Sequence, residues 1–216
     1  MSNLKIRTLV LGMVQTNCYV VINKESKEAL VFDPADHAEK IHEYLTSNDL
    51  VCKGILLTHG HFDHILAALK LAELTGVKIH AHEAEKELLA SPQLNASTRA
   101  GVNTSVVPDI LLKDQEELSL AGFRIKVIHT PGHTAGGACY HFVDQDVLIS
   151  GDTLFHEEIG RYDLPTGNGK VLLESIRTKL FILKDEVGVY PGHGIPSTIG
   201  HEKGHNPYLK DRTYGV

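Results

Sequence analysis

At 216 residues and 42% hydrophobic content, the chain carries enough apolar material for one core, and a single domain over residues 1–216 is the simplest expectation. A net charge of −6, the absence of Trp and an aromatic content of 6% exclude a phosphate-backbone or base-stacking surface, so no nucleic-acid partner is expected. No run approaches the roughly 18 unbroken apolar residues of a membrane span, and the start Met-Ser-Asn-Leu-Lys-Ile-Arg lacks the apolar stretch of a signal peptide. No membrane association is expected, and a cytoplasmic protein fits.

In chain order, Leu4–Leu11 reads as a strand, and Cys18–Ile22 and Ala29–Phe32 as a hairpin pair around a polar turn. Asp33-Pro34-Ala35-Asp36 ends the pair and offers an N-cap for a helix over Ala38–Ser47. Ile55–Thr58 is a short buried strand and Ile65–Leu74 a helix stopped by Gly76. Val77–Ala81 reads as a strand and Glu83–Leu89 as a helix. The polar stretch Ser91–Pro108 is too long for an ordinary connection, which makes it a candidate lid or substrate loop. Phe123–Ile128, Val147–Ser150 and Val187–Tyr190 are further strands, and Gly169–Leu183 is the clearest helix. Strands on both sides of every helix point to a layered α/β architecture with two sheets and helices outside.

The unusual count is 14 histidines. Thr58-His59-Gly60-His61-Phe62-Asp63-His64 follows an apolar run, and His133, Asp152 and His193 each follow a further one. His59 and His61 would diverge on a helix, so that segment is expected to be a loop, with Gly60 relaxing the backbone between them. Asp63 and His64 are adjacent and expected to diverge from each other. Imidazole and carboxylate suit zinc, and also iron or manganese. A lone histidine at a strand end is usually a polar edge residue, but the dense first cluster with three later ones favours metal binding. The three cysteines, Cys18, Cys52 and Cys139, are scattered and odd in number, which fits a reducing compartment; Cys18 and Cys139 read as core residues. His80 and His82 mimic the first spacing with no carboxylates to complete a site, and are expected at the surface. His37, His42, His141, His156 and His201 are expected to be solvated. His129, Thr58, Thr134 and Asp33 are candidates to orient ligands from behind, and Asp33 is equally a helix cap.

The His-x-His-x-Asp-His loop followed by a distant His, Asp and His resembles the metallo-β-lactamase superfamily over nearly the whole chain. The resemblance implies a four-layer αββα sandwich with metals at one edge between the sheets. It implies two divalent ions, zinc first with iron or manganese as alternatives. His59, His61 and His133 would hold one, Asp63, His64 and His193 the other, and Asp152 would bridge them. Gly151-Asp152-Thr153-Leu154-Phe155, Ile159-Gly160-Arg161-Tyr162-Asp163-Leu164-Pro165, Tyr190-Pro191-Gly192-His193-Gly194 and His205-Asn206-Pro207-Tyr208 are similar to a compact bacterial branch of glyoxalase II-like hydrolases. That likeness implies hydrolysis of a small-molecule thioester of the S-2-hydroxyacylglutathione kind, with Asp63 and Asp152 catalytic and Arg161 and His205 as substrate contacts. The helical C-terminal domain of larger glyoxalase II enzymes, with its basic glutathione contacts, is expected to be missing. An aromatic glutathione contact is replaced by Asp163. Two cations close together would lower the pKa of a shared water toward ~7. An iron persulfide dioxygenase, and a lactone or ester hydrolase of the same fold, are the alternatives; a β-lactamase with a Cys ligand is disfavoured by Asp152. Oligomeric state has no signature in the sequence.

Overall fold

A computed structural model describes residues 3–210; residues 1, 2 and 211–216 of the expected domain lie outside the described residues. Strands β1 (Leu4–Leu11), β2 (Thr16–Asn23) and β3 (Glu28–Phe32) form an antiparallel meander. Helix α1 (Ala38–Ser47) returns the chain to β4 (Val51–Leu56), which lies parallel to β3. The short helices α2 (Phe62–Ile65) and α3 (Ala68–Thr75) lead to β5 (Ile79–His82), and a 3-10 turn at Glu83–Glu85 with α4 (Lys86–Ala90) precedes β6 (Ile110–Leu112). The sheet order is β1-β2-β3-β4-β5-β6.

The second sheet begins as an antiparallel ladder of β7 (Glu117–Leu120), β8 (Phe123–His129), β9 (Ala138–Phe142) and β10 (Val147–Gly151). Helix α5 (Gly169–Ser175) continues through a π turn at Ile176–Leu180, so that β11 (Gly188–Pro191) pairs parallel to β10. Strand β12 (Ser197–Thr198) and helix α6 (Ile199–His205) follow, and the order is β12-β11-β10-β9-β8-β7.

Alternation within β2 shows why four layers result. Every residue of the strand is buried, and a strand sends successive side chains to opposite faces. Tyr19 and Val21 enter the core between the sheets, beside Phe32, Ile125, Tyr140 and Phe142. Cys18, Val20 and Ile22 face the other way, under Ile41 and Leu45 of α1 and Leu71 of α3. On the far side Cys139, Leu148 and Val189 pack beneath Leu172, Ile176 and Leu180. Each such aliphatic side chain contributes about 1.5–3 kcal/mol on burial. The outcome is the αββα sandwich that the sequence resemblance implied.

Several element boundaries differ from the sequence expectation. The helix expected over Ile65–Leu74 is broken into α2 and α3, with the Ala67 N–H donating to the Pro34 carbonyl at 3.0 Å. The expected Gly169–Leu183 helix stays α-helical only to Ser175. Asp33 does not cap α1: His37 occupies that position in a left-handed conformation, without a side-chain cap. The Ser91–Pro108 stretch packs as a strut. Asn95 and Ser97 are fully buried, and the Asn95 carbonyl accepts from the Phe62 N–H at 3.0 Å.

The two sheets are pinned together at one edge by buried hydrogen bonds. Tyr140 Oη donates to the Leu57 carbonyl at 2.8 Å, the Ala138 N–H to the Thr58 carbonyl at 2.8 Å, and Tyr19 Oη to the Pro191 carbonyl at 2.7 Å. The histidine-bearing loops leave the sheets at this edge.

Candidate metal centre

His59 and His61 sit on the loop after β4, and Asp63 and His64 on α2. His133 lies in the β8–β9 connection, Asp152 just beyond β10 and His193 just beyond β11. These groups converge. His61 Nδ1 is 2.9 Å from His133 Nε2, and His133 Nε2 is 3.2 Å from His59 Nε2. Asp63, His64 and His193 form a second group: His64 Nε2 and His193 Nε2 lie 3.4 and 3.3 Å from Asp63 Oδ2. The expected divergence of adjacent Asp63 and His64 is therefore wrong, because the first turn of a helix brings both onto one centre. Asp152 stands between the groups, with Oδ1 3.5 Å from His64 Nε2 and Oδ2 3.6 Å from both His133 Nε2 and His193 Nε2.

The donor set fits divalent cations. Within each trio the ligand atoms lie within 4.8 Å of one another. Two ligands on one tetrahedral ion at about 2.0–2.1 Å stand about 3.3 Å apart, close to the nitrogen spacings above. Asp152 Oδ1 and His64 Nε2 are buried without a hydrogen-bond partner, an expense that a bound ion would offset.

The tautomers are set from behind. His64 Nδ1 donates to Asp33 Oδ2 at 2.9 Å, leaving its Nε2 lone pair toward the centre. Asp33 Oδ2 also accepts from Thr58 Oγ1 at 2.6 Å, and that hydroxyl accepts from His59 Nδ1 at 3.1 Å. His133 Nδ1 donates to the Arg161 carbonyl at 2.7 Å. Thr16 Oγ1 donates to Asp63 Oδ2 at 2.9 Å. Asp33, at φ 47, holds a left-handed conformation that is uncommon outside glycine and clusters at functional sites.

Charge is distributed unevenly across the centre. Burial, then the neighbouring imidazoles, hold His59 well below the usual histidine range and His61 at about 3. Burial also lowers His133. At His64 burial opposes a charge, yet Asp63, Asp152 and Asp33 together raise its pKa to about 10. Burial likewise opposes ionisation of Asp63, but His64 and His193 hold it far below the usual carboxylate range. The carboxylates that favour a proton on His64 favour a metal cation in its place.

A cavity of about 580 Å³ opens over the centre, with His61, Asp63, His133, Asp152 and His193 on its floor and Val14, Phe62, Phe155, Leu164 and Ile195 on its walls. Arg161 lines it with its guanidinium paired to Asp163 at 2.8 and 2.9 Å. His205 does not line it and stacks on His201 at 4.4 Å. Expected solvation fails for His141, which is buried, while His156 lines the cavity with its side chain partly exposed. His80 and His82, expected at the surface, are buried in β5. His82 stacks on His129 at 4.0 Å, and burial with the His129 charge lowers its pKa to about 4. His129 bonds the Ala135 carbonyl rather than a metal-facing group.

Gly192 gives a sharp test of how tightly the centre is built. A Cβ there would lie 2.1 Å from Asp152 Oδ1 and 2.7 Å from His64 Cε1. Gly192→Ala is expected to displace the Asp152 carboxylate and lower metal content, while costing only about 1–3 kcal/mol of stability. Elemental analysis beside a denaturation curve checks it; full metal content would refute the close approach.

Among known proteins, a model of the metallo-beta-lactamase superfamily matches residues 11–193. The chain is 38% identical over 208 residues to a probable metallo-hydrolase, YqgX, of Bacillus subtilis, covering 95% of this chain and 98% of that one. It is 37% identical over 202 residues to the hydroxyacylglutathione hydrolase GloC of Haemophilus influenzae, covering 92% and 95%. The solved structure of BLEG-1 B3 metallo-beta-lactamase superposes with a TM-score of 0.91 at 40% identity, covering 95% and 100%. TTHA1623 in a di-iron-bound form superposes at 0.83 with 33% identity, covering 94% and 100%. A family model spanning most of the chain, and relatives matched over nearly their full lengths, establish that this chain belongs to the metallo-beta-lactamase superfamily, within which metallo-hydrolase is the function supported.

Proposed function

We propose that the chain hydrolyses thioesters of small molecules, of the S-2-hydroxyacylglutathione kind, at a centre of two divalent ions. His59, His61 and His133 would hold one ion, Asp63, His64 and His193 the other, and Asp152 would span them. The observation that carries this reading is Asp152, whose two oxygens reach toward both trios at 3.5–3.6 Å. Zinc suits the donors best, and iron is the strongest alternative given the di-iron relative.

When bound, such ions would supply a water whose pKa is lowered toward ~7 and an electrophile for the carbonyl oxygen. The protein's own groups do the rest. His133 and His64 are held with Nε2 facing the centre by the Arg161 carbonyl and Asp33. Asp63, kept ionised by His64 and His193, lies on the cavity floor, where its carboxylate can orient an attacking water by accepting a hydrogen bond. Apolar walls at Phe62, Phe155, Leu164 and Ile195 would hold the acyl chain. A leaving thiolate is a weak base and needs little protonation, so no serine or cysteine nucleophile is required. Cys18 and Cys139 are fully buried, with burial raising their pKa values.

The relative named a hydroxyacylglutathione hydrolase supports the thioester substrate. The B3 metallo-beta-lactamase at 40% identity supports a second reading, hydrolysis of the β-lactam amide. Zinc-loaded protein assayed on S-lactoylglutathione, a second thioester, a lactone and nitrocefin separates them. The proposal expects the highest kcat/KM on S-lactoylglutathione. Preference for nitrocefin would establish the lactam reading, and one iron per chain with oxygen uptake on a persulfide would establish the oxygenase.

A further inference from the structure

Among the fully buried carboxylates that belong to neither trio and do not line the cavity is Glu85. Glu85, in the turn after β5, is wholly inaccessible. Its Oε1 accepts from the Gly60 N–H at 2.8 Å, and its Oε2 accepts from the Gly136 N–H at 2.7 Å. Gly60 sits between His59 and His61, and Gly136 lies in the β8–β9 loop that carries His133. The same short segment packs against both loops. A Cβ on Gly136 would fall 2.2 Å from the Glu85 nitrogen, and one on Gly60 would fall 2.8 Å from side-chain atoms of Leu88 and Leu89.

A buried carboxylate without a cation beside it is expensive, and hydrogen bonds recover only part of that cost. An apolar residue would fill the space more cheaply, and two backbone N–H groups need acceptors only if they are held there. Both acceptors come from one rigid planar group. We propose that Glu85 is a positioning residue of the metal centre: by accepting from Gly60 and Gly136 together, its carboxylate fixes the separation of the His59–His61 loop from the His133 loop. The spacing of His59, His61 and His133 follows from that separation. The inference rests on the reading above, in which this trio holds one of the ions.

Glu85→Gln tests it, because the amide keeps the shape and one acceptor but turns an NH2 group toward a backbone N–H. At pH 8, chelator competition with zinc is expected to show affinity at the His59–His61–His133 trio lowered 10–100-fold, with affinity at the second trio unchanged. Cobalt substitution is expected to shift the visible spectrum of the first site, and kcat at saturating metal to fall while KM holds. Wild-type affinity at both sites in the variant would overturn the proposal alone. Absence of a cation from His59, His61 and His133 in the unaltered protein would overturn the proposal and the reading beneath it. If the variant does not fold, amide exchange in the unaltered metal-free protein decides. Gly60 and Gly136 are expected to exchange at one common slow rate that slows further with zinc; separate rates, or rates blind to zinc, would contradict the coupling.

Discussion

Asp152→Ala is expected to abolish hydrolysis and release metal from both trios while leaving a folded protein, and His61→Ala to do the same to the first trio. Asp152 faces both groups across the cavity floor, so its loss removes a ligand position from each and the negative charge between them. Removing a single preorganised electrostatic group typically costs about 10²–10³ in rate; losing a shared ligand exceeds that, so kcat/KM should fall by more than about 10³-fold. Stability is expected to change little. Asp152 Oδ1 and His61 Nε2 are buried with no hydrogen-bond partner in the metal-free fold, and the desolvation relieved by truncating them offsets the lost ion pair of Asp152 with His64. The metal-free variants are expected to unfold within about 1 kcal/mol of the parent. Elemental analysis, turnover and denaturation on the same samples check it. Full turnover by metal-depleted His61→Ala would rule out the mechanism.

Asp33→Ala is expected to have the second largest effect, on stability and metal together. Asp33 accepts from the Thr58 N–H at 2.7 Å, from Thr58 Oγ1 at 2.6 Å and from His64 Nδ1 at 2.9 Å, all in the interior. Deleting the carboxylate strands a buried backbone donor and leaves His64 and His59 free to turn. A loss of about 3–5 kcal/mol is expected from breaking such a buried charged network, and metal affinity should drop 10–100-fold. Asp33→Asn keeps the shape and should fall between. If Asp33 served only to begin α1, the substitution would cost about 1 kcal/mol and leave metal affinity alone. Chemical denaturation and chelator competition distinguish the two outcomes.

The residues whose role could be read from the chain are those whose chemistry is dense in sequence. Four ligand residues within Thr58–His64 have few innocent explanations, and the apolar runs before His133, Asp152 and His193 place them at strand ends. Asp33 was ambiguous because its partner Thr58 is 25 residues away; only the parallel pairing of β3 with β4 sets them side by side. Glu85 left no signal, since Glu83-Ala84-Glu85-Lys86-Glu87 reads as a solvated helix and nothing in spacing reveals burial. His80 and His82 failed for the same reason: a short parallel strand buried on both faces has no alternation to mark it. Helical periodicity persists across the break at Ala67 and the π turn at Ile176–Leu180, so the chain marks neither interruption, which tertiary hydrogen bonds impose. Strand β9 is buried at every residue and so shows no alternation either.

The most direct measurement is anomalous diffraction from crystals grown with zinc. Two peaks are expected at the cavity floor, one within bonding distance of His59, His61 and His133, the other of Asp63, His64 and His193, with Asp152 touching both. A void there, or zinc bound elsewhere, would contradict the account.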